Sequence, residues 1–418
     1  MAYELIEHVT RHATMHDNKC FAKQLNGASC LQSISYRDFR NLVSGWVATF
    51  DRQLAPGCTV CLSGNNSVDY LIAFTAILAS GRVVFPLHPN LTDDELQDAA
   101  DKSNAQALIT SQEHKSLHHF SNCVSIGLTS HPTPSDNPLN PEQAESAGLY
   151  LQSSGTTGLP KIVHRKAKAL DAVARTLTTL LTLTSKDCVL AIIPMCHSYG
   201  VENALLAPLY SGASIHITQG FSLDVTLKQF KEDGITIFPS VPFVFEALAS
   251  VDFHAAKTLR HVYSAGAPLP ENVQRSFHKC FGSPIEQLYG ASEVGTITFN
   301  DKESSLAHPN SVGRVVPGVE LRILNANDPD VNQPLPDGEH GQIAVASDAM
   351  LSDYIGTNKE EIDRGFFLTG DLGSVDSDGY LCLSGRVKLQ IDVGGLKVNP
   401  LEVQNMESRL AGGDLYLN

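Results

Sequence analysis

The sequence lacks an excess of positive charge: 30 Lys and Arg stand against 45 Asp and Glu, for a formal net charge of −15. Such a chain has no overall electrostatic drive toward nucleic acid or an anionic membrane, although an acidic protein can still hold ATP in a local positive cleft. It also lacks an apolar run of bilayer length. The most apolar stretch, Tyr70 to Ala79, falls short of the ~20 residues that a spanning helix needs. No amino-terminal signal pattern is present, because Glu4 and Glu7 interrupt any apolar region there. The nine cysteines form no disulfide framework; they are scattered, as free thiols in a reducing compartment are. Together these absences imply a cytoplasmic protein without a nucleic-acid partner or a membrane span. No repeat of fixed period occurs, although two strand–helix runs could be pseudo-duplicates.

Two apparent metal or redox patterns are better read as structure. Cys58 and Cys61 form a CxxC, but in a strand their offset of three sends the side chains to opposite faces. His8, His12 and His16 could stack on one face of an amino-terminal helix; with no acidic or cysteine partner nearby, they are expected at the surface.

What is present begins with length. A chain of 418 residues exceeds the ~250–300 at which single cores stop growing, so two or three units are expected. Hydrophobic content of 42% with 18% charged residues is that of an ordinary globular protein. The patterns predict helices over Tyr3 to His12, Tyr36 to Phe50, Val68 to Ala79 and Thr92 to Ser103, the last opened by the capping signature Thr92-Asp-Asp-Glu95. Strands are expected at Cys58 to Ser63, Val83 to Leu87 and Gln106 to Thr110. This alternation implies a parallel sheet covered on both sides. After Lys161 the chain is expected to turn helical, with Leu170, Val173, Leu177 and Leu180 on one stripe. A second run then places strands at Ala213 to Ile217, Ile235 to Phe238, His261 to Ser264 and Ile285 to Leu288, with helices at Ser222 to Asp233 and Val241 to Ala249. Beyond Asn310 short strands take over, at Glu320 to Leu324, Gln342 to Ala346, Leu372 to Asp376 and Tyr380 to Ser384, the last two joined by the hairpin signal Ser377-Asp-Gly379. Residues Pro400 to Glu407 read as helical. The predicted class is α/β: two doubly wound βα subdomains to about residue 310, a small β-rich subdomain over about 311–386, and a hinge with the start of an incomplete further domain over 387–418.

The chemistry centres on Tyr150 to Lys161, Tyr-Leu-Gln-Ser-Ser-Gly-Thr-Thr-Gly-Leu-Pro-Lys. Ser153, Ser154, Thr156 and Thr157 supply hydroxyl donors, Gly155 and Gly158 let the backbone close round an anion, and Lys161 adds a mobile positive charge. The spacing is not that of a GxxxxGK[ST] nucleotide loop, because Leu159 and Pro160 separate Gly158 from Lys161. It resembles instead the phosphate loop of the adenylate-forming superfamily, which includes acyl- and aryl-CoA synthetases, adenylation domains of peptide synthetases, and luciferases.

The resemblance extends over nearly the whole chain, in matching order. Pro194-Met-Cys-His197-Ser-Tyr-Gly200 is similar to the motif at the mouth of the acyl pocket, and Ser264-Ala-Gly266-Ala267-Pro268 to the adenine loop. Tyr289-Gly290-Ala-Ser292-Glu293, Thr369-Gly370-Asp371, Gly385-Arg386-Val-Lys388 and Gly394-Gly395-x-Lys397-Val398-x-Pro400-x-Glu402 match the family's later segments. The resemblance implies ATP-dependent conversion of a carboxylic acid to an acyl-adenylate, followed by thioester formation with CoA. It implies ATP and Mg²⁺ as cofactors, with CoA or a carrier-protein phosphopantetheine as thiol. Lys161, His197, Glu293 and Arg386 would be catalytic, and Thr156 and Glu293 would serve Mg²⁺. Residues Ser153 to Gly158, Lys161, Gly266, Ala267, Pro268, Tyr289, Gly290, Ser292, Asp371 and Arg386 would hold the nucleotide. The acid would meet His197, Ser198, Tyr199, Val241, Phe243, Ala265 and Gly290, with Lys388 at the hinge.

The residue types suit these roles. A carboxylate becomes a good electrophile only when its oxygen is made part of a leaving group, so control of phosphate charge is central. Glu293 suits Mg²⁺, which is held by one or two carboxylates with phosphate oxygens and water. Asp371 has two oxygens for two ribose hydroxyls, Arg386 can reach the ribose or α-phosphate, and Tyr289 offers a ring for adenine. Ser198 is neutral where amino-acid-activating relatives usually carry Asp, which favours an apolar acid over an α-amino acid. The Gly-Lys motif with which the family ends is absent before Asn418; its lysine would act during adenylation, so slow adenylation and little thioester are expected unless a separate carboxyl-terminal domain is supplied. A stand-alone adenylation domain loading a carrier protein, and a non-catalytic binding module, remain alternatives.

Overall fold

The computed structural model describes residues 3–27, 29–111, 123–153, 161–232, 234–251, 253, 258–355 and 362–387, with the backbone of two short strands at Ile391–Val393 and Leu396–Val398. The chain is α/β, with two large mixed sheets and a smaller antiparallel one. The seven-stranded sheet runs Asp353–Ile355, Lys161–Lys166, Gly148–Ser153, Val83–Leu87, Thr59–Ser63, Ala105–Thr110, Val124–Gly127. The nine-stranded sheet runs Arg314–Val315, Gly295–Asn300, Glu286–Ala291, His261–Ser264, Ile237–Ser240, Cys188–Ala191, Ser214–Thr218, Cys20–Asn26, Ser29–Ser35. The nine-stranded sheet is parallel at the centre and antiparallel at both edges, whereas the seven-stranded one is antiparallel only at the edge formed by Gly148–Ser153, Lys161–Lys166 and Asp353–Ile355. The central strands Thr59–Ser63 and Val83–Leu87 are buried at every residue, as strands covered on both faces must be.

One continuous core joins the two large sheets. It takes Val60, Leu149 and Leu151 from the first and Ile215, Ile237 and Tyr263 from the second, with Leu71, Phe74, Leu170, Leu177 and Leu205 of the intervening helices. Helix Val68–Ala79 has almost no polar face because it lies wholly inside this layer. The outer face of the nine-stranded sheet carries an aromatic cluster built on Phe230, Phe238, Phe245, Phe277 and Phe281. The small sheet pairs Val319–Leu324, Gly341–Ser347, Phe366–Val375 and Ile362–Asp363, with Leu381–Arg386 also on Phe366–Val375. Among the described residues no helix is long and apolar enough to cross a membrane.

Several expectations need correction. Lys161–Lys166 is a strand, antiparallel to Gly148–Ser153, and the helix begins only at Ala167. Ile162 and Val163 favour extended backbone, and the partner strand, not the local apolar period, decides. The amino-terminal hairpin Cys20–Asn26 and Ser29–Ser35, on whose sheet partner the sequence pattern is silent, extends the nine-stranded sheet through Ser214–Thr218. The expected strand Leu372 to Asp376 is the end of a longer one, Phe366–Val375. The helix expected at Pro400 to Glu407 lies outside the described residues. The capping box at Thr92 and Glu95 forms as the sequence implies. Cys58 and Cys61 do face different sides: Cys58 packs on the central core, whereas Cys61 joins the cluster beyond the seven-stranded sheet, and all nine cysteines are free.

His12 is buried, not at the surface. Its Nε2 lies 3.0 Å and His8 Nδ1 2.5 Å from the Tyr210 carbonyl oxygen, to which each ring donates. Burial, and then the charges of Arg11, His8 and His16, hold the His12 pKa down to about 4 against the pull of that carbonyl. Between pH 6.5 and 4 the unfolded chain therefore binds the extra proton, and His12 subtracts stability as pH falls through that window. Burial acts in the opposite sense on nearby Asp171, raising its carboxyl to about 7 against the two amides of Glu4 and Leu5 that donate to it. A comparison with His12→Gln, which keeps an amide donor for Tyr210 and leaves Asp171 in place, isolates the histidine. Acidification from pH 6.5 to 4 is expected to cost wild type about 2–3 kcal/mol more than the variant, read from denaturant midpoints. Parallel pH curves for the two proteins would show that His12 takes up its proton in the fold unhindered.

Candidate functional site

Strands Gly148–Ser153 and Lys161–Lys166 pair antiparallel with Ser153 opposite Lys161. Residues Ser154, Gly155, Thr156, Thr157 and Gly158 lie outside the described residues. Ser153 is buried, and the Lys161 ammonium stands 5.2 Å from the ring centre of Tyr354. Tyr354 belongs to Asp353–Ile355, which adds to the far edge of Lys161–Lys166. Just before it, the Leu351 amide donates to the Glu293 carbonyl at 2.6 Å, stitching the Lys161 strand to the segment that carries Glu293.

That segment is the turn after Glu286–Ala291. A Cβ on Gly290 would come within 2.5 Å of the Gly295 carbonyl oxygen, so this tight return needs glycine. Tyr289 is buried, and its hydroxyl donates to Asp371 Oδ2 at 2.6 Å. Arg386 Nε donates to Asp371 Oδ1, also at 2.6 Å. Asp371 and Arg386 are cross-strand partners, and the Asp371 amide donates to Thr369 Oγ1 at 3.0 Å. Burial opposes the guanidinium charge, but Asp371, Tyr289 and Glu293 outweigh it and hold the Arg386 pKa above its ordinary value. Tyr289, Glu293, Asp371 and Arg386 therefore form one electrostatic cluster. Each Asp371 oxygen keeps a further lone pair for a ligand hydroxyl.

Beside it lies a second group. Ser292 and Ser198 hydroxyls are 3.1 Å apart. Ser198 opens a helix that starts as Ser198–Val201, widens to a π turn at Glu202–Leu206 and ends as Ala207–Ser211. A Cβ on Gly200 would sit 2.0 Å from the Pro194 carbonyl oxygen, which explains the glycine of this motif. The Tyr199 hydroxyl points at the carbonyls of Ser240 and Tyr263, 3.2 Å from each, at the ends of two parallel strands. Tyr263 donates to Asn203 Oδ1 at 2.9 Å, and Asn203 Nδ2 donates back to the Tyr199 carbonyl at 3.0 Å. His197 is exposed at the helix start; the surrounding protein, and then His88 with its ring centre 6.0 Å away, lower its pKa. Ala265 is buried, whereas Gly266, Ala267 and Pro268 form an exposed loop in which Gly266 takes φ +84°. Val241 Cγ1 approaches Gly266 at 3.9 Å from where a Cβ would stand.

Two expected residues remain, Phe243 and Lys388. Phe243 is 68% exposed and meets Phe221 edge-on with ring centres 6.3 Å apart. Lys388 lies outside the described residues. Tyr289 offers adenine little open ring surface, because it is 9% exposed and its hydroxyl is held by Asp371. Among the described residues no group of three or more His, Cys, Asp or Glu side chains is arranged for a metal ion. A single carboxylate at Glu293 still fits Mg²⁺ carried in with phosphate oxygens. Sequence reasoning passed over Arg165 and Glu202, a buried pair with Nη1 to Oε1 at 2.5 Å. A charged residue inside the apolar run 200–209 was the available signal for Glu202.

The family model for AMP-binding enzymes matches residues 11–355. The chain belongs to the AMP-binding enzyme family. Its similar curated relatives include an oxalate–CoA ligase of Arabidopsis thaliana, 27% identical over 84% of this chain and 73% of that protein. A malonate–CoA ligase of the same plant is 26% identical over 84% of this chain, which spans only 63% of that protein's length. A 4-coumarate–CoA ligase, also from Arabidopsis thaliana, is 26% identical over 94% of this chain and 75% of its own. The family fold is seen in ATP-bound MatB from Rhodopseudomonas palustris, with a TM-score of 0.87 and 23% identity over 97% of this chain and 83% of that one. It is also seen in the o-succinylbenzoate CoA synthetase of Bacillus subtilis in complex with its acyl-adenylate, with a TM-score of 0.83 and 21% identity over 95% of this chain and 81% of that one.

Proposed function

We propose that this AMP-binding enzyme activates a carboxylic acid with ATP·Mg²⁺ and hands the acyl group to the thiol of CoA. The observation that carries the reading is the Asp371 carboxylate, fixed between Arg386 and Tyr289, the latter in the same short segment as Ser292 and Glu293. Asp371 accepts ribose hydroxyls, Arg386 faces the ribose or α-phosphate, and Lys161 with the loop before it holds the outer phosphates. Glu293 is the carboxylate for Mg²⁺, which screens phosphate charge. A substrate carboxylate oxygen attacks the α-phosphorus; the bond to the bridging oxygen breaks and pyrophosphate leaves. The thiol then attacks the acyl carbon and AMP departs, with His197 placed near the acid. The acid side is served by Ser198, Ser292, Tyr199, Val241 and Ala265, none of which carries a formal charge, and this supports an apolar acid. The curated relatives are named for acids as different as oxalate and 4-coumarate, so their names do not choose one.

The test is acid-dependent exchange of labelled pyrophosphate into ATP, with aromatic and fatty acids, dicarboxylic acids and α-amino acids. Exchange with apolar acids, followed by thioester on adding CoA, is expected. Exchange with amino acids alone would overturn the assignment of the acid. Thioester on a carrier-protein phosphopantetheine but not on CoA would overturn the assignment of the thiol.

A further inference from the structure

Three stretches of the candidate site converge on one guanidinium that has no part in the chemistry just described. Arg165 lies on Lys161–Lys166, the strand that leaves the phosphate loop, and is fully buried. Its Nη1 donates to Glu202 Oε1 at 2.5 Å. Glu202 opens the π turn of the helix that begins with Ser198. On its other side Arg165 Nη2 lies 3.2 Å from where a Cβ on Gly295 would stand, so the glycine lets the guanidinium rest against the backbone two residues after Glu293. Both charges are sealed off, with side chains 0% and 5% exposed.

Such a pair is a poor way to fill a core. Ion pairs taken out of water recover little of their desolvation, and apolar residues of similar volume usually serve as well or better. On the same strand Val163 and on the same helix Val201, Ala204 and Leu205 are buried apolar residues. Arg165 also keeps Nε and Nη2 without a hydrogen-bond partner among the described residues. What the pair supplies that Leu or Met would not is direction, because a charge-assisted hydrogen bond holds its donor and acceptor to a narrow range of distance and angle, here through the single Nη1–Oε1 contact. The π turn is itself a local departure of the kind found at functional sites.

We propose that Arg165 and Glu202 are positioning residues that hold the strand of the phosphate loop, the Ser198 helix and the Glu293 segment in the alignment needed for the acid to attack the nucleotide. This rests on the functional reading above. The pair touches neither nucleotide nor acid, so its loss alters the relative placement of two bound substrates more than the affinity for either nucleotide. The discriminating variant is Arg165→Met/Glu202→Met, which removes both charges and leaves an apolar contact. Its melting temperature and its affinity for AMP, by calorimetry, are expected to stay within a few degrees and about twofold of wild type. Its kcat for pyrophosphate exchange is expected to fall roughly 10–100-fold, the scale set by small misplacements remote from the reacting atoms, with a raised KM for the acid. Arg165→Lys, which keeps the charge, is expected to lie between the two.

A folded double variant with wild-type kcat and KM would overturn the proposal. If wild type itself shows no exchange with any acid, the functional reading fails first. The pair is then tested by hydrogen exchange: AMP is expected to protect residues 197–206 in wild type and not in the double variant. Equal protection in both would remove the coupling.

Discussion

Arg165→Met alone is expected to destabilise the fold by about 3–5 kcal/mol, the cost of leaving one partner of a buried ion pair without the other. Glu202 is the reason. Burial already pushes its carboxyl up from 4.5, and Arg165 is what pulls it back. Without the guanidinium the folded-state pKa climbs further, so Glu202 stays protonated in the fold while the unfolded chain gives its proton up. A raised carboxyl pKa contributes stability that is fully present below the unfolded value and is lost as pH rises through the folded one. The variant should therefore lose denaturant resistance, relative to wild type, as pH is raised from about 4.5. Arg165→Met/Glu202→Met should recover most of the loss and show no such slope. A single variant as stable as wild type across that range would mean that Glu202 finds another partner.

Much of this fold is legible in the chain because its elements are decided locally. Val68–Ala79 is apolar all round, Thr92 and Glu95 close a capping box, and Val83–Leu87 is an unbroken buried run; each carries its own signature. Lys161–Lys166 does not, since its pattern of Ile and Val between Lys, His and Arg suits helix or strand until Gly148–Ser153 is beside it. The placement of the amino-terminal hairpin on a sheet whose other strands begin after residue 187 is a non-local choice that local pattern cannot show. The site divides in the same way. Glycines demanded by close approach, such as Gly200 and Gly290, sit inside recognisable motifs. The Arg165–Glu202 pair depends on a contact across 37 residues of sequence, and the bond between Asp371 and Arg386 depends on strand register.

Asp371→Ala should weaken binding of AMP or ATP·Mg²⁺ by about 1–3 kcal/mol, or roughly 5–150-fold, in a protein that remains folded. Two losses combine. Ribose hydroxyls lose an ionised acceptor, and hydrogen bonds to charged groups are worth more than neutral ones. Arg386 loses the carboxylate that its Nε meets at 2.6 Å, and the buried Tyr289 hydroxyl loses its acceptor. Asp371 is only partly exposed, with 16% of its side chain open, so water replaces these bonds poorly. Tyr289→Phe separates the terms, because it deletes one donor to Asp371 and leaves the carboxylate, Arg386 and the ring volume in place. Its effect on nucleotide affinity should be no more than about 1 kcal/mol, the ordinary worth of a single hydrogen bond. Calorimetry on both variants, with near-UV circular dichroism to establish that each is folded, gives the order. Equal affinity for wild type and Asp371→Ala would take Asp371 out of the nucleotide site. A Tyr289→Phe loss as large as that of Asp371→Ala would mean instead that the phenol aims the carboxylate, and that Asp371 binds ribose only when held by it.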